Sequence, residues 1–146
     1  MTSSVRAFTL IEVLLSVAAI AAIAGISVPI YQSFQVRNDL DIAATTLAES
    51  CRRAAVLAQA SDGDASWGVR VQTGSITLFK GTSYAGRDTS LDELFAVPTS
   101  IVSSGLSEIV FAKFTGMPIA TGVTTFISPA NESRTITINA KGMVDY

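Results

Sequence analysis

A single carboxylate at the start of a long apolar run is the side chain of this sequence best placed to do chemistry. Glu12 follows Phe8-Thr9-Leu10-Ile11, and no residue from Val13 to Val36 carries a formal charge. An ionisable side chain in so apolar a segment is costly and normally has a partner. The pattern therefore predicts a functional role for Glu12, with a group of opposite charge beside it.

The composition argues against an enzyme. Among the 146 residues there is no histidine, which removes the commonest general base and a common metal ligand. The sequence also has neither a phosphate-binding loop nor a dinucleotide-binding glycine pattern. We therefore expect no catalytic residues, no cofactor and no metal site. Asp62-Gly63-Asp64 is interpreted as a polar turn, because the other oxygen ligands of a calcium loop are missing.

Cys51 is the only cysteine, so no disulfide can form within the chain. We interpret it as a small buried apolar residue on a helix face. The alternative is a reactive or cross-linking thiol.

The apolar run itself allows two interpretations. From Val13 to about Ile30 it is long enough, at 1.5 Å per helical residue, to cross a hydrocarbon core of about 30 Å. Arg6 precedes it, which favours a cytoplasmic N-terminus. The second interpretation is a secretory signal peptide cut after Ala22-Ile23-Ala24. Glu12 argues against it, because the charge would interrupt the junction between the basic and apolar regions.

The block around Glu12 has a family resemblance. Arg6-Ala7-Phe8-Thr9-Leu10-Ile11-Glu12 resembles the class III signal of type IV pilins and type II secretion pseudopilins, and the similarity extends to about Tyr31. The resemblance implies that a prepilin peptidase cuts between Ala7 and Phe8 and N-methylates Phe8. It further implies that Glu12 acts in filament assembly, with other pilin subunits, membrane lipid and an inner-membrane assembly platform as partners. Ala7 departs from the family, which usually has glycine there.

Elementary electrostatics supports a role for Glu12 in assembly. Cleavage would create an ammonium group at Phe8, four residues from Glu12 and on the same helical face, and the helix dipole favours a carboxylate in the first turn. When such helices bundle, a charge left unpaired is strongly unfavourable. Pairing Glu12 of one subunit with the Phe8 amine of another would therefore select the register. The alternative is that Glu12 pairs only with its own terminus.

Gly25 and Pro29 are expected to break the helix. Pro29 removes an amide donor and clashes with the preceding turn, and Gly25 weakens the same stretch. We predict a kink or local melting between them, which would let the helix bend or stretch in a filament. In a plain membrane anchor, the same break would only mark the membrane exit.

A stripe of small and apolar residues continues the helix beyond the apolar run. Its members are spaced by four, three, four, three and four positions: Leu40, Ala44, Leu47, Cys51, Ala54 and Ala58. Such a stripe is suited to close packing across a sheet. We therefore predict one helix from Phe8 to about Ala60, with an amphipathic second half, ended by Asp62-Gly63-Asp64 after Ser61.

After Trp67 the hydrophobic period changes to two. A hairpin is predicted around Thr73-Gly74-Ser75, and Asp92-Glu93 is interpreted as a solvated loop. Further strands are predicted at Leu94–Val97, Glu108–Phe114, Val123–Ser128, Thr135–Asn139 and Met143–Tyr146. A long helix followed only by strands predicts an α+β fold, in which one sheet face of an antiparallel β-sheet domain packs on the helix stripe.

A second, more diffuse resemblance covers the C-terminal part. It is carried by Leu47, Ala48, Arg52, Ala55, Trp67-Gly68-Val69, Leu78-Phe79, Gly81, Tyr84 and Ile136-Thr137-Ile138-Asn139-Ala140-Lys141-Gly142. These residues look like those of GspH/FimT-type minor pilins and pseudopilins, some of which bind DNA near the C-terminus. Here Lys141 is balanced by Asp145 and the chain has a net charge of -2. Because phosphate binding needs clustered Lys and Arg, we do not expect DNA binding.

The sequence patterns together with the resemblances predict four segments. The resemblance implies a leader at 1–7 and a membrane-spanning or filament-core helix at 8–36, and the patterns add its amphipathic continuation at 37–60 and a β-rich domain at 61–146. The resemblances imply a minor pilin-like subunit that begins as a single-pass inner-membrane protein with a cytoplasmic N-terminus and then enters a pilus or pseudopilus. One alternative is a secreted or membrane-anchored β-domain that binds a ligand, with an ordinary signal or anchor helix. Another is a minor pilin for DNA uptake.

Overall fold

The computed structural model describes the backbone of residues 8–142 and 144–145, and all of their side chains except those of 26–30, 32, 144 and 145. The predicted leader, including Ala7, lies outside the described residues. The chain divides into two compact units, Met1–Gln35 and Val36–Tyr146. In the described part, one long helix and one short 3-10 helix accompany two antiparallel sheets, which confirms the α+β class.

The long helix, α1, spans Leu10–Gln59, close to the predicted bounds. Its helical backbone is continuous through Gly25 and Pro29, so the chain is not unwound there. The predicted bending or stretching within a filament stays a prediction. In the described part of the chain, no helix combines the length and the hydropathy needed to cross a bilayer. The membrane-spanning role expected for 8–36 is thus not an observed feature and also stays a prediction.

The predicted stripe forms the helical side of the core in the second unit. All six of its residues are buried, with at most 3% of their surface exposed. They belong to one cluster with strand residues that include Val69, Ile109, Phe126 and Ile136. Since all six side chains are packed in this cluster, the stripe stabilises the unit.

The helix ends just before the turn that was predicted to end it. Ser61 adopts a left-handed conformation with a φ of 55°, and a short 3-10 helix spans Asp62–Asp64. The carbonyl oxygen of Asp62 accepts a hydrogen bond of 3.0 Å from Trp67 Nε1. Asp64 pairs with Lys113, which lowers the pKa of the Asp64 carboxyl. These contacts tie the turn to the β-rich part.

Eight strands follow the turn in the described residues. In chain order they are β1 Trp67–Gln72, β2 Ser75–Lys80, β3 Asp88–Ala96, β4 Val102–Gly105, β5 Glu108–Phe111, β6 Gly122–Ile127, β7 Ser133–Ile138 and β8 Val144–Asp145. The predicted hairpin is confirmed as β1 and β2, with Gln72 opposite Ser75. The loop is therefore the two residues Thr73-Gly74, and Gly74 has the positive φ, 85°, that such a tight turn requires.

The strands form two four-stranded sheets, with orders β3-β2-β1-β5 and β4-β6-β7-β8. The interpretation of Asp92 and Glu93 as a solvated loop is wrong, because both residues lie within β3. Each carboxylate is held by an arginine from another segment: Asp92 pairs with Arg87 at 2.8 Å, and Glu93 with Arg53 of α1 at 2.6 Å. These pairings explain how a strand tolerates two adjacent acidic residues.

The loop between β2 and β3 covers the outer face of the first sheet. Tyr84 donates its backbone N–H to Glu108 Oε1 at 2.9 Å, and its ring meets the ring of Phe79 edge-on at 5.6 Å. Arg87 also stacks over the Tyr84 ring, with its guanidinium carbon 3.6 Å from the ring centroid. Because of this cover, Phe79 is fully buried although it lies on the face away from α1.

Two ion pairs join α1 to the second sheet. Arg37 binds Glu132 at 2.8 Å, and Asp41 binds Arg134 at 2.7 Å. The Glu132 carboxylate raises the pKa of Arg37. Since these side chains are largely exposed, each pair adds little to stability. Their effect is on the position of the helix along the sheet.

Cys51 makes stability sensitive to alkaline pH. Burial raises the pKa of its thiol from 9.0 to about 12, so the folded protein keeps a proton that the unfolded chain releases. Because the unfolded state then binds fewer protons, the free energy of unfolding should fall as pH rises from about 9 to about 12, by up to ~1.4 kcal/mol per pH unit. Urea titrations across this range measure the slope.

Cys51→Ala is the matched control for this prediction. It removes the titrating group, so the difference in slope between the two proteins isolates the thiol from Tyr and Lys residues that ionise in the same range. Alkylation gives a second measurement, since a thiol buried in this way should react with iodoacetamide only after unfolding. Rapid alkylation of the folded protein would contradict the assignment.

Candidate functional site: the N-terminal part of the helix

The start of α1 is built by a threonine cap. The side chain of Thr9 accepts a hydrogen bond from the backbone N–H of Glu12 at 3.3 Å. Its carbonyl oxygen accepts from Glu12 N at 3.1 Å and from Val13 N at 3.3 Å. Thr-x-x-Glu before an apolar run is a typical helix N-terminus. The capping role of Thr9 was not predicted from the sequence, although the Thr-x-x-Glu spacing indicates it.

Glu12 lies in the first turn of α1, where the helix dipole favours its charge. Its carbonyl oxygen accepts a hydrogen bond from Ser16 Oγ at 2.7 Å. Its side chain is exposed, and among the described residues no ion pair involves it. The carboxylate is therefore open to a partner from outside the described part of the chain.

Phe8 stands one turn before Glu12 and is also open. Its side chain is 80% exposed. Phe8, Thr9 and Glu12 thus lie close in sequence at the start of α1, although Phe8 precedes the first helical residue, Leu10. The pairing of the Phe8 amine with Glu12 stays a prediction. Ala7, the other residue of the predicted cleavage site, lies outside the described residues.

The apolar segment, by which we mean Phe8–Gly25, exposes large side chains on every side of the helix. At 100° per residue, successive positions point in all directions around the axis. Eight large side chains of the helix are between 52% and 82% exposed: Leu10, Ile11, Val13, Leu14, Leu15, Val17, Ile20 and Ile23. A helix that is apolar all round is normally buried in a protein core or in lipid. This surface therefore needs surroundings that the unit itself does not supply.

Gly25 is the last residue of the apolar segment, and local packing does not require a glycine there. A Cβ atom added to it would have nothing within 4 Å. Its carbonyl group also lacks the usual helical donor, because residue 29 is a proline without an N–H. Gly25 and Pro29 therefore both affect the same turn of α1, and the predicted weak point stays a prediction.

Comparison with known proteins does not identify a family for this chain. No protein-family model matches the sequence, and no solved structure matches the chain. Any functional assignment therefore depends on the residues and geometry of the chain itself, above all on Glu12 and the apolar segment.

Proposed function

We propose that the chain is a prepilin-type structural subunit, and a minor one, of a type IV pilus or a type II secretion pseudopilus. The observation that carries this proposal is the apolar segment. It is exposed on every side and has one carboxylate, Glu12, in its first turn. A filament core made of neighbouring helices would cover all sides of such a segment at once.

The free energy available from burying this segment is large. Full burial of one large aliphatic side chain contributes about 1.5–3 kcal/mol, so eight exposed ones offer on the order of 10 kcal/mol or more before entropic costs. Docking on a single flat surface would cover only one side of the helix. A bundle of helices, or a bilayer before assembly, accounts for the whole circumference.

Glu12 supplies the specificity that apolar packing lacks. Apolar contacts between helices are non-directional, so sliding one helix along another changes their energy little. A buried carboxylate requires a cation at one height along the axis. In the proposed filament that cation is the amine of Phe8 from a neighbouring subunit, created when a prepilin peptidase cuts after Ala7.

The proposed sequence of events begins in the inner membrane. The apolar segment holds the subunit there, with its N-terminus on the cytoplasmic side until the peptidase removes the leader. An assembly platform then extracts the subunit into a growing filament. The β-rich unit lies on the outside, where it contacts other subunits or a substrate.

Intact-mass and N-terminal analysis of protein from its native host tests this proposal. We expect the chain to begin at Phe8 and to carry one methyl group on that amine. Deleting the host's prepilin peptidase should leave Met1 and the leader in place. A native start at Gly25, or an uncut chain in a peptidase-positive host, would instead support an ordinary signal or anchor helix.

A matched variant checks the cleavage site itself. Ala7→Gly restores the residue usual in the family, so processing should be at least as complete as in the native sequence. A bulky residue at the same place, as in Ala7→Leu, should hinder access of the peptidase and leave unprocessed chain. Equal processing of both variants would contradict a cut between Ala7 and Phe8.

A further inference from the structure

The free edge of the first sheet is unusually open. β3 is an edge strand, and its nine residues, Asp88–Ala96, make it the longest strand among the described residues. Val97 N donates to Gly74 O at 3.1 Å, and Ser75 lies opposite Ala96. In an antiparallel ladder the bonded pairs alternate. The backbone N–H and C=O groups of Leu94 and Ala96 therefore point away from β2, toward the free edge.

The pairing of β3 with β2 is irregular between Asp88 and Glu93, and beyond that irregularity the edge lacks most of the features that normally prevent pairing. Edge strands are usually short, or contain proline or lysine, which discourage the addition of another strand. From Leu91 to Ala96 there is neither. The side chain of Leu94 is 69% exposed and that of Leu91 is 43% exposed. The strand thus offers both unpaired backbone groups and apolar surface.

A groove lies beside the same edge on the helix side of the sheet. It has a volume of about 190 Å³ and is lined by Thr46, Glu49, Ser50, Arg53 and Phe95. Phe95 is the only strand residue in this lining, which places the groove between α1 and the free edge of β3. Sites for small molecules typically measure about 300–1,000 Å³. The groove is therefore suited to a single side chain.

The charges in the groove favour a basic side chain. Arg53 is already bound to Glu93 at 2.6 Å. Glu49 is exposed, and no ion pair involves it among the described residues. A lysine or arginine could lay its apolar stem on Phe95 and bring its charge to Glu49.

We propose that the free edge of β3 and this groove form a docking site for an extended segment of another protein, which adds as a fifth strand and inserts a basic side chain beside Glu49. Strand addition of this kind uses backbone hydrogen bonds for affinity and alternate side chains for specificity. The proposal concerns the second unit alone and does not rest on the assembly role of the helix.

A second copy of this chain does not fit the site. The strands that lie at sheet edges in the described residues are β3, β4, β5 and β8. None of these four strands contains Lys or Arg. Pairing two copies of β3 would also bring Asp92 and Glu93 of one copy toward the same carboxylates of the other, so that like charges would repel. The charges therefore favour a different protein.

Binding of synthetic peptides to the full chain in detergent micelles tests the site. The probe is a short peptide of alternating Val and Thr with a central Lys, and its control has a central Glu. We expect the Lys peptide to bind and to protect the amides of Leu94 and Ala96 from hydrogen exchange. The Glu peptide should bind at least tenfold more weakly. Equal binding of both peptides, or no protection of these amides, would overturn the proposal.

Variants at Leu94 and Glu49 distinguish the contribution of backbone hydrogen bonds from that of the Glu49 charge. Leu94→Pro removes a donor that faces the free edge while leaving the ladder to β2 intact, so affinity for the Lys peptide should fall about tenfold. Leu94→Thr keeps that donor and should bind nearly as the native chain does. Glu49→Gln should weaken the Lys peptide and abolish its advantage over the Glu peptide.

Peptide binding and filament assembly are tested by independent measurements. Failure of peptide binding leaves the N-terminal mass of the native protein unchanged, and an unexpected N-terminus leaves peptide binding unchanged. If Leu94→Pro lowers the unfolding midpoint, the Glu49→Gln comparison carries the test, because Glu49 is a surface residue. Loss of discrimination in Glu49→Gln supports the site, and unchanged discrimination overturns it.

Discussion

Glu12→Ala is expected to leave cleavage and membrane insertion intact and to reduce incorporation into filaments by about a hundredfold or more. Removing one member of a buried ion pair leaves the other charge unpaired, at a cost of about 3–5 kcal/mol, which corresponds to a factor of a hundred or more. In the proposed filament the group left unpaired is the amine of Phe8. Quantitative immunoblotting of sheared filaments against the membrane fraction measures the ratio.

Three further variants separate charge from helix capping. Glu12→Gln keeps the shape and removes the charge, so it should resemble Glu12→Ala. Glu12→Asp keeps the charge on a shorter side chain and should retain part of the incorporation. Thr9→Val removes the observed cap from the N–H of residue 12 and should weaken the helix start by about 1 kcal/mol. Normal incorporation of Glu12→Gln would show that the charge does not set the register.

Leu47→Ala is expected to lower the free energy of unfolding of the second unit by about 2–5 kcal/mol. Leu47 lies in the middle of the buried stripe and has none of its surface exposed, so the substitution leaves a cavity between α1 and the sheets. Urea unfolding followed by the fluorescence of Trp67, the only tryptophan, measures the change. That side chain is only 6% exposed when the protein is folded.

Val56→Ala is the matched control for the core substitution. Val56 lies on the same helix but is 63% exposed. Since it leaves no cavity, its effect should stay within about 0.5 kcal/mol. Equal effects of the two substitutions would contradict the assignment of the buried stripe.

The parts of the fold that were predicted correctly depend on local periodicity. The stripe from Leu40 to Ala58 has a helical spacing that only one face of a helix satisfies, and all of it is buried. The hairpin of β1 and β2 needs only a period of two and the Thr73-Gly74 turn. In both cases the information lies within a short stretch of sequence.

The parts that were missed depend on contacts between distant residues. β4 consists of Val-Ser-Ser-Gly, which is typical of a turn, and it becomes a strand because it pairs with β6. β3 contains Asp92 and Glu93, which disfavour strands until arginines from elsewhere neutralise them. The division into two sheets likewise follows from which distant strands pair, and no local pattern encodes it.

The two candidate sites show the same contrast. Glu12 was found because it is the one charge at the start of a long apolar run, and Phe8 was found through the resemblance of residues 6–12 to a known processing signal. The groove beside β3 combines one helix flank with Phe95, more than forty positions after Glu49 or Arg53. Only the folded chain brings these residues together.

The ion pairs between α1 and the second sheet favour one position of the helix along that sheet. Arg37 and Asp41 lie on successive turns and have opposite charges, as do their partners Glu132 and Arg134. If α1 slid by one turn of about 5.4 Å, Asp41 would come to Glu132 or Arg37 to Arg134, so attraction would become repulsion in either direction. A pulling force on the helix is therefore opposed mainly by the buried stripe, and the largely exposed ion pairs disfavour a new resting position one turn away.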